Sequence, residues 1–169
     1  TACLVSRPQS DLSTIQIIVD DTLAGLARLA AAGRSRFGGG MIGITGSVGK
    51  TGTKDMLSHT LANFGKTHAS KQSYNNHIGV PITLSTLPAD YDFAIQEMGM
   101  NAAGEIANLT SLALPDIAMI TRITNTHSGF FDTMEDIARA KAEIFQGLRA
   151  GGIAVLNLDD PFFPQLKVA

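Results

Sequence analysis

A single cysteine, no long apolar run and no excess of either charge are what this sequence withholds, and each absence closes off a class. Cys3 alone cannot form an internal disulfide, which excludes a disulfide-stapled scaffold and fits a reducing compartment. Thirteen Lys and Arg against fifteen Asp and Glu give a formal charge of −2, so the balance carries no signature of a nucleic-acid or anionic-membrane partner. No stretch of about 18 apolar residues is present to span a bilayer, and the N-terminal region lacks the basic start and apolar core of a signal peptide. The expectation is a cytoplasmic protein. Internal repeats, low-complexity tracts and any Ser-His-Asp or Cys-His arrangement are also missing. What remains is a chain of 169 residues, 44% hydrophobic, with room for one ordinary domain and a true core. It opens on Thr1 and stops at Ala169 just after "NLDDPFFP", and the expectation is a piece of a longer protein.

Hydrophobic patterning supplies the organisation. "IQIIV" (residues 15–19) is a short β-branched run, and in "DDTLAGLARLAAAG" Asp20 or Asp21 can cap a helix whose Leu23, Leu26, Ala27 and Ala30 repeat at helical spacing. Gly33 is expected to end it, with the basic, glycine-rich "GRSRFGGG" as a flexible joint. From Met41 the order becomes strand ("MIGIT"), glycine turn ("GSVG") and helix ("KTGTKDMLSHTLANFG", stopped at Gly65). "FAIQEM", "DIAMIT" and "GIAVLNL" follow as apolar runs suited to a buried parallel sheet, and "TMEDIARAKAEIFQGL" is a periodic helix between the last two. The alternation predicts an α/β fold, a mostly parallel, doubly wound sheet with a P-loop. Ligands of such sheets gather outside the carboxyl ends of the strands, which directs attention to residues 45–51, 97–101, 121–127 and 157–160.

The stretch "MIGITGSVGKTGTKDM" misses the usual phosphate-loop pattern of Gly, four residues, then Gly-Lys-Ser/Thr. Counting back five from Gly49 lands on Ile44, and the only early glycine is Gly46, two residues later. The chemistry survives the shortening. A strand that turns through Gly46, Ser47, Val48 and Gly49 into a helix aims backbone N–H groups and the positive helix end at one spot, where an anion is stabilised. Lys50 adds a mobile charge for phosphates and Thr51 a hydroxyl for Mg²⁺. A tight packing turn is the competing reading, and Gly-Lys-Thr between strand and helix disfavours it.

Other candidates lie at the remaining strand ends. Glu97 closes "FAIQEM" and is either a solvent-facing glutamate or a Mg²⁺ ligand, the second being favoured beside a phosphate loop. His127 stands in a polar loop with Asn125 and Thr126, where a surface role is the usual one. Lys141 lies on the helix striped by Ile137, Ala140, Ile144 and Phe145, and by pattern alone is an exposed lysine near Glu143. Asn75 and Asn76 in "QSYNNHIGVPITL" can read a ligand's polar edge or close a turn, while Pro81 suits the first turn of a following helix.

Four ordered motifs, "ITGSVGKTGTKDM", "SYNNHIGVP", "EMGMNAAGEI" and "ARAKAEIFQGL", resemble those of the Mur ligases, and the resemblance covers roughly residues 20–163. The shortened loop is that family's form. Within it the motifs look most like the branch that joins a UDP-N-acetylmuramoyl tripeptide to D-alanyl-D-alanine. The resemblance implies an ATP- and Mg²⁺-dependent amide ligase of peptidoglycan precursor synthesis. ATP would convert the tripeptide carboxylate to an acyl phosphate, the dipeptide amine would attack it, and phosphate would leave. Residue by residue, it implies that Gly46, Ser47, Val48, Gly49 and Lys50 hold ATP, and that Thr51 and Glu97 bind one Mg²⁺. His127 would bind a second Mg²⁺, Lys141 would be carbamylated, and Asn75 and Asn76 would belong to the substrate-side loop. It also implies residues 1–36 as the end of an N-terminal substrate domain with its connecting helix, and 37–169 as the first part of a central ATP-binding domain. A monomer without nucleic-acid or membrane partners is expected, and this piece alone is expected not to ligate.

Departures from the family pattern are Arg122 in place of an asparagine, Ala102 in place of a frequent histidine, and Ser128 in place of leucine. Three rivals follow. A sibling Mur ligase or a folylpolyglutamate synthase-like ligase would share the chemistry, and a nucleotide-binding module would lack it. A nucleic-acid-dependent ATPase is disfavoured by the missing basic stripe.

Overall fold

A computed structural model describes residues 2–70, 72–125 and 131–169. Two short strands, β1 (Ala2–Val5) and β2 (Ile15–Ile18), pair in parallel and lead into helix α1 (Thr22–Arg36). Then come β3 (Gly40–Thr45), α2 (Lys50–Leu61), β4 (Thr67–Ala69), α3 (Gly79–Ser85), β5 (Phe93–Glu97), α4 (Glu105–Ala113), β6 (Ile117–Ile120), α5 (Met134–Ala142) with a 3₁₀ turn over Glu143–Gly147, β7 (Ile153–Leu156) and α6 (Phe163–Leu166). The main sheet has the order β4-β5-β3-β6-β7 and every pairing is parallel. The expected doubly wound α/β architecture is what forms. Successive strands first add on one side of β3 and then on the other, so the carboxyl end of β3, between β5 and β6, is the point where the winding reverses.

Strand alternation divides the core in two. Met41, Ala94, Ala118 and Ile120 face a large apolar layer that includes Ala30, Val80, Leu84, Ile106, Leu109, Ile137 and Ile144 from α1, α3, α4, α5 and the 3₁₀ turn. Ile42, Ile44 and Ile95 face the other way, against Leu57 and Leu61 of α2. That second layer covers β3, β4, β5 and, through Ile117 and Met119, β6, and leaves the far edge open. Ile153 and Val155 are 58% and 37% exposed, so β7 is an edge strand and not the buried strand its composition suggests.

Two expectations fail at α1. Its N-cap is Asp21, which accepts the Ala24 N–H at 2.8 Å. However, Gly33 does not stop it, and the helix runs on to Arg36. Gly33 serves close packing instead, because a Cβ there would come within 2.1 Å of the Leu84 carbonyl oxygen of α3. The buried face is Gly25, Ala30, Gly33 and Arg34, with Leu23 half exposed. The supposed flexible joint is pinned as well. Arg34 is 6% exposed and donates to the carbonyls of Ala113 at 2.6 Å, Leu114 at 2.8 Å and Phe37 at 3.2 Å. Its guanidinium also lies 3.8 Å from Asp116, whose carboxylate accepts the Met41 N–H of β3 at 2.9 Å. Local composition could not announce this, since all but one of the partners lie some 80 residues away.

Two main-sheet elements escape sequence patterning for similar reasons. β4 is three residues of mixed polarity. The N-terminus of α4 has Gly104 at its cap with no side-chain bond of its own; Glu143 supplies the acceptors, taking the N–H groups of Gly104 at 2.7 Å and Ala107 at 3.1 Å. The periodic run after Thr133 tightens into 3₁₀ form where Gly147 passes the Thr110 carbonyl, which would stand 2.4 Å from a Cβ. Replacing Arg34 with Met keeps the apolar stem but leaves three carbonyls without their donor. The expected loss is about 3 kcal/mol in urea denaturation with an unchanged m-value; a loss under about 1 kcal/mol would mean that the carbonyls regain water at no cost.

Candidate functional site

The glycine loop lies across the end of β6. Gly46 has φ +146° and Gly49 φ +84°. The first cannot carry a side chain, because its Cβ would sit 1.9 Å from Thr121 Oγ1; the second turns the chain into α2 from the left-handed region. Between them the loop is tied down on both sides. Ser47 N–H donates to the Arg122 carbonyl at 2.7 Å, Ser47 Oγ donates to the Thr124 carbonyl and accepts the Thr124 N–H, both at 3.0 Å, and Thr121 Oγ1 donates to the Val48 carbonyl at 2.6 Å. Among the described residues no side chain caps the N-terminus of the twelve-residue α2, so its first N–H groups and the positive end of its dipole remain directed at the loop. Lys50 lies over the same spot, its Nζ donating to the Gly46 carbonyl at 2.7 Å. Burial lowers the Lys50 pKa and the nearby Glu97 carboxylate partly offsets this.

Glu97 is 1% exposed at the end of β5. Its carboxylate accepts from Thr51 Oγ1 at 3.0 Å and from Asn75 Nδ2 at 2.7 Å, and Ser73 Oγ lies 3.0 Å from the same Thr51 hydroxyl. Among the described residues this buried carboxylate has neutral hydrogen-bond donors and no ion pair. Such a charge calls for a cation, and a carboxylate beside a hydroxyl is the hard-oxygen donor set that suits Mg²⁺. Among the described residues no three His, Cys, Asp or Glu side chains gather to hold a metal unaided, as fits an ion that takes one or two protein oxygens and completes its shell with phosphates and water.

The paired amides take different work. Asn75 reaches Glu97, and its carbonyl accepts the Gly99 N–H at 2.7 Å. Asn76 closes the turn into α3, its Oδ1 accepting the N–H groups of Ile78 at 3.1 Å and Gly79 at 2.8 Å.

Lys141 departs furthest from its sequence pattern. It is 1% exposed, and Glu143, its expected surface neighbour, is spent on α4. Burial first, and the positive charge of Lys50 second, lower its pKa to about 7. Among the described residues its ammonium has no hydrogen bond or ion pair to offset this, so the neutral amine is accessible near neutral pH. Lys50 and Lys141, 91 positions apart in sequence, thus belong to one electrostatic site. His127 lies outside the described residues.

Sequence reasoning missed Ser73 and Lys54, and reached Thr121 only as the start of the strand-end segment 121–127, without a role. Position at a strand end marks Thr121 but not its part in holding the loop, and Ser73 carries no local signal, because these roles exist only once β6 and the segment after β4 reach the loop. Lys54 follows Lys50 by one helical turn, a spacing that reads as a solvated face, yet it is 1% exposed.

Comparison with known proteins agrees with this geometry. The UDP-N-acetylmuramoyl-tripeptide–D-alanyl-D-alanine ligase of Synechocystis sp. is 42% identical over 161 residues, which is 94% of this chain and 36% of that protein. A crystal structure of MurF from Acinetobacter baumannii matches with TM-score 0.89 at 34% identity over 98% of this chain and 36% of that one. MurF ligase from Thermotoga maritima, in complex with ADP, matches with TM-score 0.84 at 30% identity over 97% of this chain and 38% of that one. The chain therefore spans a little over a third of the length of these relatives. The family model for the Mur ligase middle domain matches residues 44–169, from the strand that enters the loop to the end of the chain. By fold, loop and match, the chain belongs to the Mur ligase family.

Proposed function

We propose that this chain is the nucleotide-binding part of an ATP-dependent amide ligase that adds D-alanyl-D-alanine to UDP-N-acetylmuramoyl-tripeptide in peptidoglycan precursor synthesis. The observation that carries the reading is the union of the uncapped α2 terminus, Lys50 and the buried Glu97–Thr51 pair at one switch point. Residues 1–36 form the end of a substrate domain with its connecting helix, and 37–169 the first part of the ATP-binding domain. The protein works as a cytoplasmic monomer. The match to named relatives of this specificity favours it over a sibling ligase.

In this reading the backbone N–H groups of Gly46, Val48 and Gly49 wrap the nucleotide phosphates, Ser47 holds the loop in place through Arg122 and Thr124, and Lys50 leaves the Gly46 carbonyl to take the phosphate charge. Thr51 and Glu97 would hold Mg²⁺, which neutralises phosphate charge when bound, and His127 would serve a second ion. Asn75 orients Glu97, and Asn76 sets the turn from which Asn75 projects. The reaction is phosphoryl transfer to the tripeptide carboxylate, then amine attack on the acyl phosphate and expulsion of phosphate. Each step needs positioning and charge neutralisation rather than a protein nucleophile. The neutral form of the Lys141 amine, made accessible by burial, can add CO2 through its nitrogen lone pair and release a proton to solvent, which exchanges a destabilised cation for a carbamate anion beside Lys50.

The direct test supplies the full-length protein with ATP, each family acid and each family amine, and measures phosphate release. Fastest turnover with the tripeptide and D-alanyl-D-alanine is expected; preference for another pair reassigns the enzyme within the family. Lys50→Ala should reduce amide formation by about 100-fold or more and weaken ATP binding, whereas tight ATP binding with no turnover in the unaltered protein would point to a nucleotide-binding module. Lys141→Ala should lose activity and regain part of it with a short carboxylate such as formate. Because the Lys141 pKa is lowered in the folded state, the unfolded chain holds this proton to higher pH. Its contribution to stability therefore rises with pH from about 7 toward the ordinary lysine value of 10.5. Urea titrations at several pH values without bicarbonate should show a smaller rise in Lys141→Met.

A further inference from the structure

Lys54 is buried and charged, and the chemistry above leaves it without a task. It lies on α2 three residues after Thr51, on the same face and one turn further into the helix, and its 1% exposure puts it among the most enclosed side chains of the protein. Its Nζ donates to the Ser70 carbonyl at 2.8 Å and lies 3.2 Å from Asp55 Oδ1, whose side chain is 67% exposed. Filling this space alone would be done at less cost by methionine or leucine, since an ammonium must be desolvated. The ammonium therefore earns its place by what it holds, a backbone carbonyl at the exit of β4.

From Ser70 a chain of short bonds leads to the candidate site. Ser70 Oγ donates to the Gln72 carbonyl at 2.7 Å, and Tyr74 N–H donates to the same oxygen at 2.8 Å. Asn75 N–H donates to the Ser73 carbonyl at 2.9 Å. Ser73 Oγ then meets Thr51 at 3.0 Å, and Asn75 Nδ2 meets Glu97 at 2.7 Å. The segment is thus fastened to α2 twice, by Lys54 where it leaves the sheet and by Thr51 where it reaches the carboxylate.

We propose that Lys54 is a positioning residue that couples α2 to the segment carrying Ser73 and Asn75, and so sets the Thr51–Glu97 pair for its cation. The inference rests on the nucleotide-binding reading for the identity of that cation, and on the hydrogen-bond path alone for the coupling.

Two measurements on the full-length protein separate these layers. In hydrogen exchange, Lys54→Met should speed exchange at Ser73, Tyr74 and Asn75 while the amides of α2 stay protected; unchanged exchange at those three overturns the coupling whatever the protein binds. In calorimetric titrations with ADP and MgCl2, Lys54→Met should leave metal-free ADP affinity within about twofold and raise the Mg²⁺ requirement about tenfold, as loss of an outer-shell partner does. Lys54→Arg should recover most of this, and Lys54→Met should add little to Asn75→Ala, because both act along one path. A fall in melting temperature with an unmoved Mg²⁺ midpoint would reduce Lys54 to a structural lysine. Should Lys54→Met fail to fold, Ser70→Ala cuts the same path by removing only the hydroxyl that donates to the Gln72 carbonyl, and an unmoved Mg²⁺ midpoint there overturns the proposal. Absence of ADP binding in the unaltered protein would strike the nucleotide reading, while the exchange result would still decide the coupling.

Discussion

The close approach of Gly46 to Thr121 is the constraint on which the candidate site depends. A side chain at position 46 would collide with the Thr121 hydroxyl at 1.9 Å, so only glycine lets the loop lie on the end of β6 and receive its three kinds of anchor from Thr121, Arg122 and Thr124. The loop is consequently held from the side opposite β5, while Glu97 approaches from β5 itself. With both neighbours of β3 engaged, the N-terminus of α2 is presented in one orientation, before any ligand bears on it. That is preorganisation in a concrete form: backbone donors and a carboxylate are placed by the sheet, not by the ligand.

Three lysines show how burial sorts one residue type into different work. Lys50 is half sheltered, keeps a carboxylate within electrostatic reach and so remains a usable charge. Lys54 is enclosed but satisfied by a carbonyl and an adjacent aspartate, and acts as a structural tie. Lys141 is enclosed, has no acceptor among the described residues and feels a second positive charge, so its proton is the one surrendered. The order follows from desolvation against compensation, and it could not be ranked from the residues flanking each lysine.

Legibility in the sequence was uneven in a physically sensible way. Strands β3, β5 and β6, the shortened loop and α2 were readable because each is local: an apolar run, glycines that free the backbone, and a Gly-Lys-Thr that announces an anion. β4 and the cap of α4 were not, since one is three residues long and the other is completed by Glu143 from a distant helix. Gly33 misled for a related reason. Glycine near a helix end signals a stop, but here it makes room for the backbone of α3, and a packing demand of that kind has no local trace. The same holds for β7, whose apolar composition describes its neighbours in a sheet and says nothing of whether a helix covers it.

By itself, then, the sequence determined the α/β class, the winding and the chemical character of the loop, because periodicity and backbone freedom act over a few residues. Tertiary structure alone decided that Lys141 is buried and easily deprotonated, that Asn75 serves Glu97 while Asn76 serves a turn, and that Lys54 ties the two halves of the site together. These are matters of desolvation and of hydrogen-bond partners drawn from separate elements. Both come into being only when the sheet brings residues far apart in the chain to the carboxyl end of β3.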